Sequence, residues 1–161
     1  MAFLLHQLLT QSDERYPEKE ALIDRDETIT YRALDHLSDQ VARTLRMHGV
    51  AKGDRVGIYL NKSIRSVVAI FGLLKAGGVY VPLDPSAPVR RVAFMIEDCS
   101  MKALVTTSER FAQLREVAPA SSPGRCVPLV LHETIRGDSR MEVALVIWEA
   151  MSSSPCSSHP P

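Results

Sequence analysis

No charge of either sign is in surplus. Nineteen Lys and Arg balance nineteen Asp and Glu across 161 residues, and no run of like charge occurs. That excludes the electrostatic footprint of a protein that grips a nucleic-acid backbone or an anionic membrane. No apolar run approaches the roughly 18 to 20 residues a membrane-spanning helix requires. The longest, Val67–Leu74 and Val143–Trp148, are core-sized. The stretch Met1–Gln11 has no basic residue ahead of its leucines and no small-residue cleavage site after them. It therefore reads as an amphipathic helix of a cytoplasmic protein and not as a targeting segment. Cysteine is scarce too. Cys99, Cys126 and Cys156 are odd in number and far apart, without the paired spacing of a zinc or dithiol site, and read as buried or idle thiols.

What remains is 45% apolar and 24% charged, enough to bury the core of one domain. The composition changes near Ala118. Six of the ten prolines follow it, and the terminal MSSSPCSSHPP offers almost nothing to bury, so that end is expected to be disordered. Two strands, Val127–Leu131 and Val143–Trp148, can be read between these regions.

Before residue 118 the apolar period switches repeatedly. Phe3–Tyr16 predicts a helix with Leu4, Leu5, Leu8 and Leu9 on one side, closed by Pro17. Ala21–Ile23 and Thr28–Thr30 predict a hairpin. Leu34, Leu37, Val41 and Leu45 mark one face of a second helix, with Gly49 at its left-handed end. Then come a strand at Arg55–Leu60, a helix capped by Ser63 and ended by Gly77-Gly78, and a strand at Val79–Leu83. A helix opened by Pro88 buries Val89, Val92, Ala93 and Ile96, and is followed by a strand at Ala103–Thr106 and a helix capped by Ser108. Strands alternating with crossover-length helices predict an α/β fold, a mainly parallel sheet covered by helices. The helix Ile64–Ala76 is apolar on more than one face and calls for burial on most sides. A body of this size has few places to hide it, which predicts that the chain is part of something larger.

Candidate chemistry is thin. His6, His36, His48, His132 and His159 have no metal spacing. Lys75, close to Gly77, is placed to meet a phosphate, but a cation in the last helical turn fits the pattern better. Gly77-Gly78 lacks the partner glycines of a dinucleotide fingerprint. Asp84, set beside Pro85, reads as a turn residue, and Glu97 with Asp98 as a solvated pair of acids at a helix end.

Two stretches go further. Ile29-Thr30-Tyr31-Arg32-Ala33-Leu34 and Leu74-Lys75-Ala76-Gly77-Gly78-Val79-Tyr80-Val81-Pro82-Leu83-Asp84-Pro85 resemble the first two motifs of the AMP-forming adenylate ligases. That superfamily includes acyl-CoA synthetases and the amino-acid adenylation domains of peptide synthetases. Lys52–Leu60 fits the same register, and the likeness runs over roughly Leu4–Leu114, its wording nearer to the amino-acid adenylation domains. One departure is Ala33 where the family usually has Glu. If Thr30 caps the helix, half of a capping box is missing, a loss of about 0.5–1 kcal/mol.

The resemblance makes residues 1–118 a partial N-terminal subdomain of an AMP-binding ligase domain and leaves 119–161 as a divergent tail. It implies a reaction in which a carboxylate and ATP give an acyl-adenylate and pyrophosphate, followed by transfer to a thiol. ATP, magnesium and coenzyme A or phosphopantetheine are implied for full-length relatives. For this chain alone no cofactor, metal or catalytic residue is expected. Such chemistry needs a Gly/Ser/Thr loop followed by Lys to hold the phosphates. Thr106-Thr107-Ser108 runs into Glu109-Arg110, and Ser121-Ser122-Pro123-Gly124-Arg125 has no lysine. Three organisations remain open. They are a truncated N-terminal ligase segment, inactive alone and reading after about residue 118 as a frameshift product; a split-enzyme subunit completed by a second chain; and a non-catalytic module docking through Ile64–Ala76. Self-association through an exposed sheet edge and apolar surface is expected in each.

Overall fold

A computed structural model describes residues 4–117, 126–136 and 140–145, with side chains for 4–117 and Cys126. The chain opens with helix α1 (Leu5–Arg15) and a hairpin of β1 (Glu20–Asp24) and β2 (Glu27–Thr30), turned by Arg25 at φ 54°. Helix α2 (Tyr31–Met47) follows at once. Thr30 caps it by accepting the Ala33 N–H at 3.2 Å, so the cap forms without the reciprocal acidic residue. The predicted face, Leu34, Leu37, Val41 and Leu45, is buried, and Gly49 beyond the helix end has φ 80°.

The main sheet comes next, in the order β4-β3-β5-β6-β7. Its strands are β3 (Arg55–Tyr59), β4 (Val79–Pro82), β5 (Ala103–Thr106), β6 (Val127–Arg136) and β7 (Arg140–Leu145). The first four are parallel, as the alternation predicts, and β7 returns antiparallel to β6. The crossovers are α3 (Ile64–Ala76), α4 (Val89–Asp98) and α5 (Ser108–Val117). The chain steps from β3 to β4 in one direction, then back past β3 to β5 and β6. A right-handed connection must then put α3 on one face and α4 and α5 on the other. Side chains follow suit: Val56, Ile58, Ala103 and Val105 feed the core under α2 and α3, while Tyr59 and Leu104 feed the one under α4 and α5.

One expectation changes. Of the four leucines assigned to one side of α1, only Leu9 is buried; Leu4, Leu5 and Leu8 are exposed, because the covered face of the helix also takes in the half-buried His6, Ser12 and Asp13 and leaves most of the leucine side outward. The apolar helix α3 does find cover. No residue of α3 is fully exposed; α1, α2, the hairpin and the sheet pack against it. The close fit to α2 is made at Gly72, where a Cβ would lie 2.6 Å from that of Val41 and 2.8 Å from the Ser38 carbonyl oxygen. The cover is partial: Val67, Ile70, Phe71 and Leu74, which share one face of α3, are only half-buried by the described residues.

Among the described residues the sheet ends at β4 on one side and at β7 on the other, and β4 is the edge whose side chains are described. Val79 and Leu83 donate to β3 at Asp54 and Ile58, so the alternate residues Tyr80 and Pro82 turn their backbone outward. Pro82 has no N–H to offer there, which fits a proline in an edge strand and blunts the edge.

Candidate functional site

In a sheet wound both ways, loops at the carboxyl ends of the strands converge where the direction of winding reverses. Here those loops follow β3, β4 and β5. The first enters α3 through a reciprocal cap: Ser63 Oγ accepts the Ser66 N–H at 3.3 Å, and Ser66 Oγ accepts the Ser63 N–H at 3.1 Å. The second is ordered by Asp84, which accepts from the Ser86 N–H at 2.8 Å and the Ser86 hydroxyl at 2.7 Å. The Ser86 backbone N–H, its hydroxyl and the nearby Arg91 hold the Asp84 carboxyl below its ordinary value. Asp84 is thus a turn residue, as its setting predicts.

The third loop begins at the hydroxyl row Thr106-Thr107-Ser108. Thr106 is fully buried, and its hydroxyl donates to the Tyr59 carbonyl at 3.3 Å. Thr107, not Ser108, caps α5, its Oγ1 accepting the Arg110 N–H at 3.4 Å; Ser108 is the first residue inside the helix. Of this row, one hydroxyl is committed to the core and one to a helix cap. The described residues do not fit an ATP phosphate chain at this place. The second candidate loop, Ser121–Arg125, lies outside the described residues.

Lys75 points elsewhere than toward a ligand. Its ammonium donates to Asp35 Oδ1 at 2.8 Å, the Asp35 carbonyl at 2.9 Å and Asp39 Oδ1 at 2.8 Å. Its side chain is 9% exposed, and it fastens the last turn of α3 to α2 at the floor of a groove of about 380 Å³. Three acceptors satisfy all three ammonium protons. The same turn is closed by Gly77 in the left-handed region at φ 87°, and Gly78 donates to the Leu73 carbonyl. Sequence reasoning missed Asp35 and Asp39 as partners of Lys75. Their spacing of four on one helix was the available signal.

The remaining candidates stay apart. His36 pairs with Gln40 and His48 with the Thr44 carbonyl, while His6 lines the groove beside Asp35. The side chains of His132 and His159, and Cys156, lie outside the described residues. Glu97 and Asp98 are exposed at the end of α4. Among the described residues no cluster of His, Cys, Asp or Glu is arranged to hold a metal, and no helix is long and apolar enough to cross a membrane. Cys99 and Cys126 are unpaired thiols against the core under α4 and α5, and burial pushes the Cys126 thiol up to about 12.

The sequence profile of the AMP-binding enzyme family matches residues 9–154. Tyrocidine synthase 2 of Brevibacillus parabrevis is 39% identical over 113 residues, covering 70% of this chain and 3% of that protein. The chain therefore spans only a small part of that relative. Among solved structures, the nonribosomal peptide synthetase FmoA3, bound to alpha-methyl-L-serine-AMP, superposes with a TM-score of 0.71 at 30% identity, over 80% of this chain and 14% of that one. A benzoate CoA ligase from Burkholderia xenovorans LB400 shares the fold, with a TM-score of 0.72 at 21% identity over 81% of this chain and 26% of that one.

Proposed function

This chain belongs to the AMP-binding enzyme family, and we propose that its 161 residues act as scaffold for an ATP-dependent adenylating ligase without performing adenylation themselves. The stretch corresponds to the N-terminal region of adenylating ligases. The reaction it would serve joins a carboxylate to ATP, releases pyrophosphate and passes the acyl group to a thiol. Magnesium and coenzyme A or a carrier phosphopantetheine belong to that reaction, in the cytoplasm. In this reading the chain contributes no catalytic residue of its own.

The observation behind this reading is the fate of the hydroxyl row. Thr106 and Thr107 belong to the core and to a helix cap, so the phosphate grip must come from residues other than these. A complement carrying that grip, on the same polypeptide or a second chain, would dock against the C-terminal ends of β3, β4 and β5. In isolation the chain would self-associate through the exposed sheet edge and the apolar surface, Phe94 of α4 included.

Titration calorimetry with ATP and magnesium tests the reading. No saturable isotherm and no carboxylate-dependent pyrophosphate exchange are expected from the purified chain. Saturable binding, or exchange by the chain unaided, would overturn it.

A further inference from the structure

Arg110 reaches from the first turn of α5 into the junction of the three loops. Its Nη1 donates to the Pro85 carbonyl at 2.8 Å and its Nη2 to Asn61 Oδ1 at 2.9 Å. The guanidinium carbon lies 4.7 Å from the centroid of the Tyr59 ring. Tyr59 is itself 1% exposed, so burial holds the ring under the guanidinium in place. One side chain thus ties the ends of β3 and β4 to the helix after β5. The partners are 49 and 25 positions away in sequence.

The loop after β4 depends on such a tie. Its last ladder bond is Leu83 to the Ile58 carbonyl, and α4 does not begin until Val89. Between them Asp84 takes both Ser86 donors, Ala87 donates to the Asp84 carbonyl, and Ala87 packs partly on the core below. Those polar bonds shape the loop locally and do not fix where it sits.

We infer that Arg110 is a positioning residue, a latch that holds the loop Asp84–Ala87 across the carboxyl end of β3. Its release frees the loop while the sheet stays folded. The latch needs a guanidinium: a planar fork meets two acceptors at once while lying flat on an aromatic ring, and a single ammonium cannot do all three. This role concerns the chain's own loops and holds whether or not the proposed function does.

Residue-resolved amide exchange on the 161-residue chain tests it. In Arg110→Met, which keeps an apolar stem over Tyr59, the Ser86 and Ala87 amides should exchange about tenfold faster, the loss of roughly one charged hydrogen bond. The amides of β3 and β5 should keep their wild-type rates. Arg110→Lys should not restore slow exchange, and Asn61→Ala should give a smaller acceleration in the same loop. Loop exchange within twofold of wild type would overturn the latch. So would rescue by lysine, or acceleration spread evenly over β3, β5 and the loop. Failure of Arg110→Met to fold would likewise show that the residue supports the whole fold, and an unchanged loop in Asn61→Ala would confirm that rejection.

Discussion

The two faces of the main sheet are built from the same strands and finished differently. Under α2 and α3, Val41, Val56, Val68, Ala69 and Leu73 are fully buried, and α1 and the hairpin add a further layer outside. Under α4 and α5 the core is smaller: α4 buries only Val92 completely, and Phe94 on the same helix is 64% exposed. Alternating side chains on β3 and β5 give Val56, Ile58, Ala103 and Val105 to the first core and Tyr59 and Leu104 to the second, so strands and helices both contribute to the difference. Stability should therefore be concentrated on the first face, while the second meets solvent after one layer of helix.

The sharpest way to break that comparison is one deletion on each face. Leu73 and Leu114 are 0% and 4% exposed. Leu73 is gripped by rigid backbone, since a Cβ on Gly78 would lie 2.4 Å from its Cδ1. A cavity there cannot collapse, and Leu73→Ala should cost about 4 kcal/mol. Leu114 sits in the latter half of α5, which can settle into the gap, and Leu114→Ala should cost about 2 kcal/mol. Urea unfolding of both variants checks this; equal losses would show that the faces contribute alike.

Local pattern, on either face, decided what the sequence could reveal. Helix α3 and strand β5 fall at the predicted residues because a continuous apolar pattern bounded by a serine cap, glycines or turn residues needs no tertiary information. The apolar side of α1 misled, because periodicity shows which residues share a face and not how much of that face finds a partner. Thr107 took the cap expected of Ser108, a one-residue shift typical of helix ends. The contacts at the candidate site were the least legible. Lys75 with Asp35 and Asp39, and Arg110 with Pro85 and Asn61, join segments 25 to 49 positions apart. Only the sheet order brings them together, and no local pattern announces it.

A second test asks whether the thinner core is dry. The folded Cys126 thiol, pushed up to about 12, lies above its ordinary 9.0 because burial disfavours the thiolate. Between those values the folded chain keeps a proton that the unfolded chain has lost. Its stabilising contribution is therefore complete below pH 9 and declines as pH rises, by about 1.4 kcal/mol per pH unit toward pH 12. Urea unfolding at pH 8, 9 and 10 should show this fall in the wild type, and Cys126→Ala should lack that component. Identical pH dependences would mean that water reaches the thiol and that the second core is open at Cys126.

The smallest effect on stability should accompany a distinct effect on association. Phe94 contributes little to the core, so Phe94→Ser should leave unfolding within about 0.5 kcal/mol of wild type. Val79, 50% exposed on the edge strand, faces the same side of the sheet as Val81, which packs into the core under α4 and α5. Pro82 limits growth of the ladder at that edge, which leaves apolar side chains as the adhesive part of the surface. Sedimentation at tens of micromolar (roughly where exposed apolar surface drives assembly) should then show less self-association in Phe94→Ser. Met47→Ser, which removes an 81% exposed side chain from the end of α2, should change nothing. Equal relief from both substitutions would make the association a generic consequence of exposed apolar atoms, and the thinly covered face would lose its claim to be the adhesive one.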